Sequence, residues 1–184
     1  MLVRLALSMA LLGWAATASA EPLELSLGVE GGVSRYSGAL GGAVRPGASW
    51  GVRAGMRAAP WLTLGFSYAG SLNRLERTGE IVPPLLVRDG ASALVRLSPG
   101  PLGLEPFVEL GAGVSRLTLA RGDAGPRYRG DTVLELPVAV GATLHTGVLD
   151  LGLKLGHVLL VGNQVYDGGG GHLATGALTL GASF

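Results

Sequence analysis

Apolar and polar residues alternate along most of this chain with a period of two. Leu25, Leu27, Val29 and Val33 are interleaved with Ser26, Gly28, Glu30 and Ser34. Trp50, Val52, Ala54 and Met56 alternate with Gly51, Arg53, Gly55 and Arg57. Leu62, Leu64, Phe66 and Tyr68 alternate with Thr63, Gly65, Ser67 and Ala69. A fourth, weaker segment sets Ala91, Ala93, Val95 and Leu97 against Ser92 and Arg96, with Leu94 out of phase. Val108, Leu110, Ala112 and Val114 then oppose Glu109, Gly111, Gly113 and Ser115. Leu134, Leu136, Val138, Val140 and Ala142 oppose Glu135, Ala139, Gly141 and Thr143. Leu149, Leu151, Leu153 and Leu155 oppose Asp150, Gly152, Lys154 and Gly156. Last, Ala174, Leu178, Leu180, Ala182 and Phe184 oppose Thr175, Ala177, Thr179, Gly181 and Ser183. Successive side chains of a strand point to opposite faces, so this pattern predicts eight strands, each with one apolar and one small or polar face.

The connections alternate as well. Those near 59–60, 98–103 and 145–147 are short; those over 36–47, 70–85, 119–131 and 162–171 are long and rich in Gly, Pro, Arg and Asp. A soluble β-domain would turn its apolar face inward. Here the other face is crowded with Gly, Ser, Thr and Ala, which suits a narrow barrel turned inside out. The expected fold is all-β, a closed antiparallel up-and-down transmembrane barrel. Trp50 and Tyr68 fall near one set of strand ends and Trp61 and Phe184 near the other, as aromatic girdles do.

Composition strengthens this picture. Hydrophobic residues make up 48% of the 184 and charged residues only 15%, against about 25% charged in soluble domains. Yet no later segment runs far enough without Gly, Pro or charge for a spanning helix, which needs about 20 apolar residues. A closed barrel is the other structure that satisfies its backbone in lipid. Residues 1–20 read as a secretory leader: Arg4, an apolar stretch from Leu5 to Ala16, and Ala18-Ser19-Ala20 before Glu21. The barrel domain is then 21–184. With Arg4 lost, its basic and acidic residues balance, leaving no field to attract nucleic acid. There is no cysteine, so disulfides and thiol chemistry are excluded.

With its leader, eight alternating strands, Gly-rich inner face and terminal Leu178-x-Leu180-x-Ala182-x-Phe184, the chain resembles the small OmpA/OmpX-like outer-membrane barrels. The resemblance implies residence in the bacterial outer membrane with both termini periplasmic and the long loops outside. It also implies that Leu178, Leu180 and Phe184 serve as a signal to the outer-membrane assembly machinery. Ala182 departs from the pattern, since a larger residue is commoner there.

Some small barrels modify lipid A with a His and a Ser near the outer leaflet. Here His145 falls in a predicted turn, His157 on the lipid-side parity and His172 at the start of the last strand, and none has Ser two residues on. No catalytic constellation is legible. No His/Asp/Glu spacing suits a metal, and the Gly runs lack the context of a phosphate loop; no cofactor is expected.

The inward parity carries Glu30, Arg53, Arg57, Arg96, Glu109, Glu135, Asp150 and Lys154, both signs together. A first hairpin centred near 41 and 42 places Glu30 opposite Arg53, and one centred near 102 and 103 places Arg96 opposite Glu109. An eight-stranded barrel is just wide enough to be filled by side chains. The reading is a structural or surface-interaction barrel with a filled lumen; the rivals are a small passive channel, a lipid A-modifying enzyme and a secreted soluble β-domain. Arg35, Arg74 and Arg116, outward at the loop ends of strands one, three and five, could meet lipopolysaccharide phosphates.

Overall fold

The computed structural model describes residues 24–38, 40–76, 84–100, 103–120, 130–162 and 171–184. They form strands β1 (Leu25–Gly38), β2 (Gly47–Ala59), β3 (Leu62–Arg74), β4 (Leu85–Leu97), β5 (Leu104–Ala120), β6 (Asp131–Thr146), β7 (Leu149–Val161) and β8 (Gly171–Ser183). Each strand pairs antiparallel with its sequence neighbours, and β8 returns to β1 to close the barrel. Reciprocal hydrogen bonds between Leu25 and Phe184, at 2.8 and 2.9 Å, finish the seam. Closure removes every sheet edge and satisfies the backbone internally. The expected leader, 1–20, lies outside the described residues.

The faces follow the alternation. Outward positions such as Leu27, Val52, Phe66, Leu110, Val140, Leu153 and Leu178 are exposed, while the inward partners are buried or half-buried. An apolar belt running round the whole barrel exceeds any patch that soluble monomers carry. It suits hydrocarbon. The inward glycines allow a narrow bore. A Cβ on Gly113 would lie 2.1 Å from the Ala91 carbonyl oxygen, so only glycine lets these two strands approach.

The strands run further toward the loop end than the alternation predicts. β3 continues to Arg74, where a loop is expected from 70, and β4 pairs from Leu85, ahead of the alternation that is legible from Ala91. The reason lies inside the barrel. Toward the loop end the inward residues change from small and charged to apolar: Tyr36, Leu86, Leu117, Val133, Leu160 and Leu173 are all buried. Outside, the apolar stripe is broken by Arg35, Arg74, Asp89, Arg116, His157 and His172. Beyond the lipid belt this part of the barrel is arranged more like a soluble one, with apolar side chains turned inward.

The β1–β2 connection completes that layer. Residues 40–43 form a turn in which the Val44 N–H donates to the Leu40 carbonyl at 3.0 Å. Gly38 precedes it at φ 69°, a left-handed conformation that favours glycine. The turn lowers Leu40, fully buried, into the mouth beside Val44 and Leu75.

Candidate functional site: a charged lumen beneath an apolar cap

The inward side chains stack in layers between the two ends. At the end carrying the termini, Arg57 bonds Glu24 at 2.9 Å and Glu105 at 3.4 Å. Glu105 also meets His145 Nε2 at 3.2 Å, and His145 Nδ1 meets Asp150 at 2.7 Å. The Ser183 hydroxyl donates to the other Asp150 oxygen at 2.6 Å. This chain of contacts ties β2, β5, β6, β7 and β8 together. The sequence reading misplaces His145: it is not in a turn but on β6, facing inward. Its odd parity, shared with Glu135 and Thr143, is the signal that would have found it.

In the middle layer Arg96 stands directly opposite Glu109 and bonds it at 2.8 Å, as expected from the β4–β5 hairpin. The Arg96 guanidinium also lies 3.9 Å over the Phe107 ring, a cation–π contact. Lys154 reaches Glu109 at 3.8 Å and pairs closely with Glu30 over the inner face of the intervening strand β8.

The expected Glu30–Arg53 pair is not formed across the first hairpin. Glu30 stands opposite Gly51, and Arg53 opposite Gly28. The register is shifted by two residues. The β1–β2 ladder centres between residues 40 and 41 rather than between Gly41 and Gly42, because the connection beyond Ser34 and Gly47 is not a symmetric hairpin: β1 runs on to Gly38 against β8, and Val44 bridges Leu75. A two-residue shift keeps both charges inside but ends their direct opposition. Arg53 lies between Gly28 and Ser67, and its Nη1 is buried with no protein hydrogen-bond partner.

The third layer is the most enclosed. Arg88 and Glu135 form an ion pair with side chains only 4% and 3% exposed, and the Ser92 hydroxyl also donates to Glu135. Glu135 is among the residues expected in the lumen; Arg88 is not, because it lies between the loop expected over 70–85 and the alternation that starts at Ala91. Directly above, one inward position along β4 and β6, stand Leu86 and Val133 of the cap. Two cavities of about 60 Å³ each remain in the lumen, one at the terminal end beside Arg57 and His145, one beside Lys154 and Glu135.

On the outer surface, Arg35, Arg74 and Arg116 are exposed, near the loop ends of β1, β3 and β5. Arg116 stands opposite Asp89 on β4, so its charge has an acidic neighbour. Trp50 and Tyr68 meet edge to face at 5.5 Å. They lie further from the loop end than expected, because the strands extend past them; Tyr68 is in mid-strand. Trp50 covers Gly70, where a Cβ would come within 2.5 Å of the indole. Trp61 and Phe184 are exposed at the terminal end. Leu178 and Leu180 share the outward face of β8. Among the described residues no cluster of His, Asp and Glu is arranged to hold a metal ion.

No protein-family model matches the sequence, nor does any curated protein. Solved structures do match the fold. The crystal structure of Neisserial surface protein A is similar with a TM-score of 0.63 and 17% identity, over 87% of this chain and 97% of that one. The N-terminal β-barrel domain of Pseudomonas aeruginosa OprF has a TM-score of 0.52 and 14% identity, covering 86% and 97%. The outer membrane protein OprG of the same species has a TM-score of 0.51 and 10% identity, covering 86% and 95%. The chain has the closed eight-stranded fold of these small outer-membrane barrels, in keeping with its resemblance to OmpA/OmpX-like proteins.

Proposed function

We propose that this protein is a sealed barrel of the bacterial outer membrane, with a structural and surface-interaction role rather than a conducting one. The observation that carries the reading is the apolar cap. Leu40, Leu86, Leu117 and Leu173 fill the loop-end mouth with no exposed surface, above a lumen whose charges of both signs meet in pairs. An ion crossing would have to shed its water against that layer, and hydrophobic constrictions close pores by dewetting.

In this reading the termini and short turns are periplasmic and the long loops face outward. Leu178 and Leu180 on the outer face of β8, with Phe184 just past its end, engage the assembly machinery. Arg35, Arg74 and Arg116 contact lipopolysaccharide phosphates at the outer rim. The test is a planar-bilayer recording of the refolded protein beside cell fractionation. The reading expects outer-membrane residence, gel mobility that changes on boiling, and no steady ohmic openings in the wild type. Steady openings would transfer the protein to the passive-channel class.

A further inference from the structure

Three outward stripes break at adjoining positions near the loop end. On β7, Leu149, Leu151, Leu153 and Leu155 give way to His157. On β8, Leu180, Leu178, Gly176 and Ala174 lead up to His172. On β1, Val33 is followed on the same face by Arg35. Ala174 stands opposite Arg35 on one side and His157 on the other, and His172 is the next outward residue on its strand. The two imidazoles meet edge to face, with centroids 5.5 Å apart. All three polar side chains are exposed. Between Arg35 and the His157 ring stands only the small side chain of Ala174.

Among the described residues the surroundings carry no compensating charge. The described outward neighbours are Val33 and Ser37 on β1, Gly176 on β8, Leu155 and Leu159 on β7, and Leu136 and Val138 on β6. Arg116 faces Asp89 and Arg45 is paired with Glu76, but Arg35 has no acidic neighbour among the described residues. The cluster lies at the upper edge of the apolar belt, the height at which lipid phosphates sit. A guanidinium binds phosphate through two parallel hydrogen bonds. Imidazole, as a class, changes charge between pH 5 and 8. Two adjacent imidazoliums beside an arginine repel one another unless an anion lies between them.

We propose that Arg35, His157 and His172 form a binding site for the phosphate of an outer-leaflet glycolipid, and that the two histidines make its grip tighten as the pH falls. The proposal rests on the outward faces meeting lipid, and it adds to the arginine rim a pH dependence confined to the β7–β8–β1 side.

Affinity for bis-phosphorylated lipid A would be measured by native mass spectrometry and thermophoresis on the refolded barrel in detergent, at pH 7.5 and 5.5. EDTA is present so that no divalent cation bridges the phosphates. Phosphate monoesters lose charge over this range, with a second pKa of about 6, so tighter binding at pH 5.5 must originate in the protein. The expected gain is about two- to tenfold, the scale of two added surface charge contacts. The His157→Gln/His172→Gln variant abolishes the gain; Arg35→Gln weakens binding at both pH values; Arg74→Gln leaves the gain intact. A gain that persists in the double-histidine variant, or that dephosphorylated lipid A shows equally, would overturn the site. Capture of inorganic phosphate without preference for the lipid would overturn the lipid assignment. Equal binding by an Arg74/Arg116 double alanine variant would remove the rim reading alone, whereas equal binding by the Arg35 variant would overturn the site. Mobility shift on boiling verifies that each variant is folded.

Discussion

Replacing Glu135 with Ala strands Arg88 inside the barrel. The two side chains are 3% and 4% exposed, and the next inward residues on their strands, Val133 and Leu86, belong to the apolar cap. Arg88 therefore cannot turn to solvent through the loop end. Removing one partner of such a pair costs about 3–5 kcal/mol, because the remaining ion stays desolvated. Glu135→Ala also frees the Ser92 hydroxyl, whose lost hydrogen bond adds about 1 kcal/mol. Replacing both ions by apolar groups of similar size, Arg88→Met with Glu135→Leu, should recover most of the loss, since neither is left unpaired and both extend the cap. Urea unfolding from lipid vesicles, read by the boiling-dependent gel shift, gives each stability. The Arg88/Glu135 double-alanine cycle should show a coupling of several kcal/mol. The Arg45–Glu76 pair, with side chains 64% and 56% exposed, provides the control at about 0–1 kcal/mol. A coupling for Arg88/Glu135 no larger than that control would refute the argument that this layer is closed to water.

Other outcomes follow from the same geometry. A Glu30/Lys154 cycle should show strong coupling and a Glu30/Arg53 cycle much less, whereas Arg96/Glu109 should couple across its hairpin; the reverse ranking would mean that the β1–β2 register is not the one described. Leu151→Arg or Val138→Arg, on the lipid face, should cost about 2–4 kcal/mol near the midplane, and folding into bilayers as well as wild type would reverse the assigned faces. Gly152→Ser, which the alternation alone makes look mild, should also destabilise: a Cβ there comes within 2.9 Å of the Ala142 carbonyl oxygen and 2.5 Å of the Thr179 hydroxyl. A stability equal to wild type for that variant would show that the strands can separate to make room.

The period-two alternation by itself determined the strand count, the faces and the up-and-down order, because the backbone of a regular strand sends successive side chains to opposite sides. It also placed Glu30, Arg53, Arg57, Arg96, Glu109, Glu135, Asp150 and Lys154 on the inner face, where the structure has them. Which of them meet was legible only where the hairpin is short. The β4–β5 connection leaves little freedom, and Arg96 met Glu109 as expected. The β1–β2 connection is longer and asymmetric, with β1 running on to Gly38 against β8 and Val44 bridging Leu75, so its register depends on residues far along the chain and Glu30 was matched with the wrong partner. Lys154 to Glu30 is a contact over the inner face of β8, set by closure of β8 on β1. The cap was hidden for a related reason. Near the loop end the faces exchange character, and a short apolar stretch around Tyr36 or Leu86 looks like irregular loop until seven other strands bring its counterparts to the same mouth. Alternation is local and survives in the sequence; register, pairing inside the lumen and the cap depend on contacts between residues far apart, and only the closed barrel decides them.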